Sequence, residues 1–525
     1  MVAQWLGWEL VSGKSSSQSA RGKVFIRELT KWADGIMLLA EVRVPGLSHK
    51  AGKLADALIL LALAWVLFIG CVHKFPVRLS SESFQGYGIK GIFRDDFPFS
   101  ISSKTPDLGT AIPPARKGCS VKILPYGPEN FALRAELMKS ARSYIYLQNY
   151  IFANDSTGQA SAGIFKEKIG QGVAVYLIVD GYNKLGNLHR ELYKQMVQNG
   201  VKIAGFEPKY MSFLNQNYVP TTRELNMRYH EKYLIVDGVF GITGGTNIGD
   251  SYAGVGAKPG TELRDQDVLV TGAVVEDMVR AFEENFGGFK LLESSRPVFL
   301  KRNKTRLESA FKGRRDIGIQ VPEGISFTDQ DVRVRLIRSR PRYEESYIYQ
   351  AYLYLIQQAQ KSIIIENSYY IPDKDLNDAI LNAARRGVEV TMIVDVGKAR
   401  DKLQMQPIII RHYYLPLVEA GVKVYEWQST LRGEGELHSK VSVFDGQVSV
   451  IGSYNFDPRC KYLNSEDVVV IDSEKTAQAL TDYIFQNDLI RSELVSLEKA
   501  KANRYPKEIT KFIRLTWALM VKDYW

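Results

Sequence analysis

One short motif occurs twice in this chain, and it constrains the fold and the chemistry more than any other feature. The copies HEKYLIVD and HSKVSVFD each carry a histidine, a lysine two residues later and an aspartate at the end. These residues are His230, Lys232 and Asp237 in the first copy and His438, Lys440 and Asp445 in the second. An asparagine follows each Asp-Gly pair at the same distance, Asn247 in one half and Asn455 in the other. Two half-motifs of this kind predict one composite site.

The spacing within each copy predicts a hairpin. Residues two apart on a strand point to the same face, so we expect His230 and Lys232 to project together. Asp-Gly between two β-rich runs is a strong hairpin signal, and a two-residue turn at Asp237-Gly238 would pair residue 230 with residue 245. Asn247 would then lie just past the open end of the hairpin, beside the histidine. The aspartate lies at the opposite end, where we expect it to hold the turn.

The order of apolar runs around the motif is also repeated. SYIYLQNYI, QGVAVYLIVD and NGVKIAGF precede the first copy, and SIIIENSYYI, RGVEVTMIVD and AGVKVYEW precede the second. Helical stretches at 184–199 and 375–386 alternate with these runs, which is typical of βαβ units. The sequence therefore predicts an α/β fold of two similar lobes related by a pseudo-twofold axis. Each lobe is expected to contain a mixed, mostly parallel sheet flanked by helices.

With these motifs, the chain resembles the phospholipase D superfamily over about residues 120 to 475. The surrounding segments GGTNIGDSY (244–252), RDQD (264–267), GSYNFDPR (452–459) and LNSE (463–466) are most similar to bacterial cardiolipin synthases. The two halves differ at one point, because Gly245-Thr246 in the first half corresponds to Ser453-Tyr454 in the second.

This resemblance implies a role for each residue of the site. One imidazole attacks phosphorus to form a phosphatidyl-histidine, and the other protonates the leaving alkoxide and then activates the incoming hydroxyl. The resemblance favours His230 as the nucleophile and His438 as the acid and base, although the near-symmetry of the sequence does not distinguish them. The lysines and asparagines would hold the phosphate oxygens. Asp265 and Glu466 are the acids expected behind the imidazoles, with Asp267 as the rival in the first half. No metal and no cofactor are expected.

The leading functional hypothesis is a membrane-attached phosphatidyltransferase similar to cardiolipin synthases. Its expected partners are phospholipid substrates, namely phosphatidylglycerol and also phosphatidylethanolamine, and the membrane. A hydrolytic phospholipase D, in which water replaces the acceptor alcohol, is the main alternative. A phosphodiesterase or nuclease ranks below it, because the fold hosts several chemistries. An inactive lipid-binding protein ranks last, since both motif copies are intact.

The net charge of +10 suits either a nucleic acid or an anionic membrane surface. The 68 basic and 58 acidic residues are interspersed and form no dense basic stripe, so no nucleic-acid partner is expected. Three separate cysteines offer no disulfide framework. The sequence leaves the oligomeric state open.

An apolar stretch near the N-terminus favours the membrane. Residues 57–72, ALILLALAWVLFIGCV, are uncharged, and we expect them to form an N-terminal apolar helix that acts as a single anchor or a signal sequence. Basic residues before this stretch predict that the catalytic body lies on the outer, periplasmic side of a bacterial inner membrane. A lipoprotein attached through Cys71 is the alternative.

The expected domain organisation combines these features. It comprises an N-terminal extension (1–52), the anchor or signal segment (53–75), a linker (76–115), the first phospholipase D-like lobe (116–310), a second linker (311–330), the second lobe (331–475) and a C-terminal helical segment (476–525).

Overall fold

In the computed structural model, two strand-rich lobes repeat the same order of elements. The structure describes residues 87–180, 187–206, 226–256, 262–293, 296–302, 325–396, 405–428 and 435–504. The predicted anchor, Cys71 and the end of the predicted C-terminal segment lie outside these residues. Within the described part of the chain, no helix combines the length and the apolarity needed to cross a bilayer.

The first lobe alternates strands and helices and then forms the motif hairpin. Its strands are β1 (Arg116–Leu124), β2 (Tyr144–Asn149), β3 (Ala174–Asp180), β4 (Lys202–Phe206), β5 (Arg228–Tyr229), β6 (Tyr233–Val236), β7 (Phe240–Gly244), β8 (Asp267–Thr271), β9 (Lys290–Glu293) and β10 (Arg296–Arg302). Its helices are α1 (Leu108–Ala111), α2 (Gly127–Ser140), α3 (Ser156–Gly170), α4 (Asn187–Gln198), α5 (Asp250–Ala253) and α6 (Ala273–Gly288).

The second lobe follows the same plan. Its strands are β11 (Asp329–Ser339), β12 (Ser362–Asn367), β13 (Glu389–Val394), β14 (Lys423–Trp427), β15 (Lys440–Phe444), β16 (Val448–Gly452), β17 (Asn464–Asp472) and β18 (Ser492–Leu494). Its helices are α7 (Tyr347–Gln358), α8 (Lys374–Arg385), α9 (Met405–His412), α10 (Tyr414–Glu419), α11 (Pro458–Tyr462), α12 (Glu474–Tyr483) and α13 (Leu497–Arg504).

Local signals begin corresponding helices at corresponding places. The Asp155 carboxylate accepts a hydrogen bond from the Gly158 amide at the start of α3. Asp373 does the same for the Leu376 amide at the start of α8. Such caps satisfy amides that a helix leaves unpaired in its first turn.

The prediction of a mostly parallel sheet is wrong. Parallel pairing joins β2, β3 and β4 in the first lobe and β12, β13 and β14 in the second. The hairpin strands, the return strands β8 and β17, and the outer strands β9, β10 and β18 all pair antiparallel with their neighbours in this sheet. The motif hairpin lies next to the first parallel strand, so each βαβ core is extended by antiparallel strands on both sides.

The lobes share one continuous sheet and one core. Strand β1 pairs antiparallel with β11, so the two half-sheets meet at these equivalent strands. Side chains from both lobes, including Phe282 and Leu480 on helices α6 and α12, pack in one buried cluster. Each lobe has a further core of its own beneath its outer helices. Because the halves meet along a sheet and a core, their corresponding ends are held close together.

The motif hairpins form where predicted, but their turns are longer than expected. Val236 pairs with Phe240, and Phe444 with Val448, which leaves three residues in each loop. The amide of the third loop residue donates to the last strand residue, Val239 to Val236 and Gln447 to Phe444 in the two loops. The Asp and Gly of each turn both have positive φ. The expected pairing of residue 230 with residue 245 is therefore displaced by one position.

Candidate active site

Each motif histidine lies immediately after a segment that a buried aspartate holds. Asp180, at the end of β3, accepts from the Tyr229 amide at 2.7 Å. Asp395, which follows β13, accepts from the Leu437 amide at 2.7 Å. These contacts fix the backbone just before His230 and just before His438. Both segments lie at the carboxyl ends of parallel strands, where α/β folds commonly place their sites.

The imidazoles are held by carboxylates of the opposite lobe. The Nδ1 atom of His230 lies 2.8 Å from Glu466 Oε2, and the Nδ1 atom of His438 lies 2.6 Å from Asp265 Oδ2. All four side chains are buried, with each histidine less than a tenth exposed. Because Nδ1 is engaged, Nε2 is the ring nitrogen of each histidine that is oriented for chemistry. Neither half-site is complete without the other lobe.

Backbone contacts cross between the lobes at the same points. The His230 amide donates to the Ser465 carbonyl at 2.9 Å, next to Glu466. The His438 amide donates to the Arg264 carbonyl at 2.7 Å, next to Asp265. Each histidine is thus attached twice to the segment that supplies its carboxylate.

The motif lysines point toward the backbone of their own histidines. Lys232 Nζ donates to the His230 carbonyl at 2.7 Å, and Lys440 Nζ donates to the His438 carbonyl. Lys440 Nζ also donates to Ser368 Oγ at 3.1 Å. Both lysines are buried. Their ammonium groups therefore place positive charge inside the site, where the anionic oxygens of a phosphodiester would be stabilised.

The electrostatics connect the half-sites into one site. Burial lowers the pKa of His230 to about 4, and the charges of Lys232 and Lys440 act in the same direction against the carboxylate of Glu466. Burial also lowers the pKa of Lys440 to about 8, with Lys232 contributing from the other lobe. Since groups of both lobes shift each other, they lie within one electrostatic field. At neutral pH the His230 imidazole is uncharged and its ring nitrogen is available as a nucleophile.

The two carboxylates differ in their protonation. Burial alone would raise the pKa of Glu466, but His230 and Lys232 hold it below the usual value. Burial raises the pKa of Asp265 to about 7, and the neighbouring Asp267 adds to this effect while Lys440 opposes it. Glu466 is therefore ionised behind a neutral imidazole. The Asp265 pair with the other histidine retains a proton up to about neutral pH.

Asp267, the rival acid of the first half, lies elsewhere. Its carboxylate accepts from Arg134 at 2.8 Å and from Asn130 at 2.6 Å. The Thr246 amide donates to its other oxygen. These contacts build a buried network beside the site, and Asp265 is the residue that reaches the imidazole.

The paired asparagines make different contacts in the two halves. Asn247 Oδ1 accepts from the Ile151 amide at 3.0 Å, and its Nδ2 donates to the Tyr252 hydroxyl at 2.8 Å. The Tyr252 ring stands edge-on to the His438 ring, with 5.5 Å between centroids. In the second half, the Asn455 amide contacts Cys460 Sγ at 3.3 Å. The first asparagine thus reaches the opposite histidine through Tyr252.

The motif aspartates lie at the turns and away from the histidines. Asp237 accepts hydrogen bonds from the amides of Arg142, Ser143 and Tyr144, each at 2.8 Å. Asp445 accepts from the amides of residues 360, 361 and 362 in the same way. Both carboxylates therefore tie the hairpin to the start of the adjacent strand.

Two side chains at the site were not found from the sequence. Ser453 Oγ donates to Glu466 Oε2, and Cys460 Sγ donates to Glu466 Oε1 at 2.9 Å. Burial raises the pKa of the Cys460 thiol well above its usual value, so the thiol remains protonated and able to donate. A comparison of the two repeats could have pointed to both residues, because Ser453 corresponds to Gly245 and Cys460 corresponds to Tyr252 in the first half.

The chain matches a known family over both lobes. Residues 135–282 and 352–489 match the family model described as "Cardiolipin synthase, PLD-like domain". The chain belongs to this family. The matched stretches are the two repeats, and the predicted membership of the phospholipase D superfamily is confirmed.

Curated relatives agree with the family assignment. The chain is 29% identical to a cardiolipin synthase of Alkalihalophilus pseudofirmus, over 72% of this chain and 68% of that protein. It is also 29% identical to a probable cardiolipin synthase of Bacillus subtilis, over 78% and 72% of the two chains. Together with the family match, these relatives support an enzyme of the phosphatidyltransferase type within the phospholipase D superfamily.

A solved structure shares the fold. The crystal structure of phosphatidylserine synthase from Haemophilus influenzae superposes with a TM-score of 0.56 and 18% identity, covering 77% of this chain and 95% of that one. The α/β architecture with a repeated phospholipase D-like lobe is therefore confirmed.

Proposed function

We propose that the chain is a cardiolipin synthase-like phosphatidyltransferase that works through a phosphatidyl-His230 intermediate. The observation that carries the proposal is the pair of crossed histidine–carboxylate contacts. They place two imidazoles in one buried site that also holds two lysines, and the carboxylates behind the imidazoles differ in the direction of their pKa shifts. The family and its relatives supply the class of substrate, phospholipids such as phosphatidylglycerol.

In the first step, the Nε2 lone pair of neutral His230 attacks phosphorus. A nitrogen–phosphorus bond forms while the bond from phosphorus to the head-group oxygen breaks. The Asp265–His438 pair donates its proton to the leaving alkoxide, which departs as an alcohol. The ammonium groups of Lys232 and Lys440 stabilise the oxygens on which negative charge is redistributed.

In the second step, the head-group hydroxyl of a second phospholipid attacks the phosphatidyl-histidine. His438 accepts the hydroxyl proton as the new oxygen–phosphorus bond forms, and the bond to His230 Nε2 breaks. With two molecules of phosphatidylglycerol, the products are cardiolipin and glycerol. Ionised Glu466 stabilises the positive charge that His230 carries in the intermediate.

The membrane setting follows from the substrates and from the apolar stretch at 57–72. We propose a single N-terminal anchor in a bacterial inner membrane with the catalytic body on the periplasmic side. Attachment of a lipoprotein through Cys71 is the alternative. Reporter fusions after residue 120 test the side, and a signal only from a cytoplasm-specific reporter would contradict it.

Product analysis tests the reaction. The purified full chain is incubated with vesicles of phosphatidylglycerol, with and without phosphatidylethanolamine, and the lipids are measured by mass spectrometry. Cardiolipin and free glycerol are expected. If phosphatidic acid predominates, the protein is a hydrolytic phospholipase D.

Histidine variants test the mechanism in the same assay. His230→Ala and His438→Ala should each abolish turnover, because each removes one of two required imidazoles. His412→Ala, which changes a histidine on α9, is the matched control and should retain activity. With phosphatidylglycerol labelled with 32P, acid-labile label is expected on His230 of the wild-type enzyme. Acid-labile label on a different residue would refute the assigned nucleophile.

A further inference from the structure

A cavity of about 310 Å³ lies in the outer part of the first lobe, between helices α2 and α3. Its lining is almost entirely apolar and includes small side chains such as Ala135, Ala160 and Ala253. The charge of Arg134, which also lines it, is engaged by Asp267 at 2.8 Å. Ala160 is exposed, and Val255 at the cavity edge is 47% exposed, so the cavity opens to the surface.

The second lobe has a cleft of about 30 Å³ that partly overlaps the equivalent region. Three of its lining residues occupy positions of the repeat that line the cavity in the first lobe. These pairs are Phe131 and Tyr349, Ile248 and Phe456, and Ala253 and Lys461. Lys461 forms an ion pair with Asp373, and the ring of Tyr352 packs against Phe456 with 4.8 Å between centroids. At these positions the second lobe therefore carries an ion pair and an aromatic contact in place of an open apolar lining.

The cavity adjoins the candidate active site along the chain. Ile248 in its wall follows Asn247, which is bonded to Tyr252. Ala253 in its wall follows Tyr252, whose ring faces His438. The segment 247–253 therefore contributes consecutive residues to the cavity wall and to the surroundings of His438.

We propose that this cavity binds one acyl chain of the phospholipid whose phosphatidyl group is transferred. The inference rests on the proposed function, because it assigns part of the same substrate. A dry cavity of about 150 Å³ holds benzene, so roughly twice that volume accommodates a chain segment of about ten to twelve carbons. An apolar lining with no unpaired charge favours a hydrocarbon over a head group.

The contribution of the cavity to kcat/KM can be measured with short-chain substrates that are dissolved as monomers. Each methylene moved from water into an apolar site increases binding by about fourfold. The wild-type kcat/KM should therefore rise severalfold from dihexanoyl- to dioctanoyl-phosphatidylglycerol below their micelle concentrations. Ala135→Leu combined with Ala160→Leu, which fills the cavity, should reduce this preference to less than twofold. Ala132→Leu, on the exposed face of the same helix, is the matched control and should keep the wild-type preference.

Photocrosslinking locates the chain without turnover. Phosphatidylglycerol with a diazirine near the end of one acyl chain is illuminated in vesicles with the His230→Ala protein, and the labelled peptides are mapped. Label on residues 127–140 or 156–170 is expected, with at least a fivefold decrease in the cavity-filled variant. Label confined to other segments would overturn the proposal even if cardiolipin is formed normally. If these helices are labelled but the wild-type chain transfers no phosphatidyl group, the proposed function is refuted and the assignment of the cavity to an acyl chain stands. A melting curve of each variant identifies any that fails to fold, and in that case Ala160→Leu alone is tested.

Discussion

The motif aspartates are expected to act through stability and not through contact with substrate. Asp237 accepts three backbone amide bonds at 2.8 Å each and has a φ of 53°. Replacing it by alanine removes about 1 kcal/mol for each of these partly exposed bonds. Alanine in a left-handed conformation adds about 1 kcal/mol. Asp237→Ala should therefore destabilise the protein by about 4 kcal/mol.

The Asp237→Asn variant distinguishes a role of this carboxylate in stability from a role in the chemistry. Asparagine tolerates the left-handed conformation and keeps one acceptor oxygen, so about 1 to 2 kcal/mol should be lost. Thermal melts followed by circular dichroism should rank the variants as wild type, Asn and Ala. Turnover of the Asn variant, normalised to folded protein, should stay within about threefold of wild type.

The contrast with a histidine variant makes the reasoning refutable. His230→Ala should lose turnover entirely at a temperature where the protein is folded. An Asp237→Asn protein with an unchanged melting temperature and no turnover would show that this carboxylate takes part in the chemistry. Asp445→Asn, in the equivalent turn, should behave like Asp237→Asn, because its carboxylate holds the corresponding strand.

Three further predictions concern the chemistry of the site. The kcat/KM, measured by initial rates, should rise with pH as His230 loses its proton near pH 4 and fall above about pH 7 as the Asp265 pair loses its proton. Asp265→Asn should move the alkaline limb of this profile to lower pH. Cys460→Ala should lower kcat about tenfold by removing a donor to Glu466, and Cys460→Ser should restore most of it; equal loss in both variants would point to packing alone. Chelator should leave activity unchanged, and loss with EDTA that one divalent ion reverses would show that the site has been misread.

Local patterns carried most of the prediction of the fold. The apolar runs and the Asp-Gly turns predicted the βαβ units and both hairpins, because these features depend on neighbouring residues. The number of residues in each turn was wrong, since Asp237 and Gly238 are followed by a third loop residue. The antiparallel share of the sheet was also missed, because strands such as β2 and β6, or β1 and β8, pair although they are distant in the chain.

The sequence predicted which residues form the site but not which of them contact each other. The repeat identified the two histidines, and the family resemblance suggested both acids, with Asp267 as a rival to Asp265. Chain distance does not reveal that each acid crosses to the other lobe. Cys460 looked isolated because its contact with Glu466 requires the fold of the segment between them. The expected domain boundaries, the separate roles of the histidines and the membrane anchor stay predictions.

The difference between Gly245 and Ser453 explains how a nearly symmetric site performs asymmetric chemistry. At residue 245 a Cβ atom would collide with the Asp265 carboxylate, so glycine lets this acid lie against the backbone without a hydroxyl donor. At residue 453 the serine hydroxyl donates to Glu466, which the Cys460 thiol also reaches. Added donors favour the ionised form of a buried carboxylate, whereas their absence favours the protonated form. The repeat therefore supplies two equivalent imidazoles, and the residues that surround each acid favour the proposed roles of His230 in attack and His438 in proton transfer.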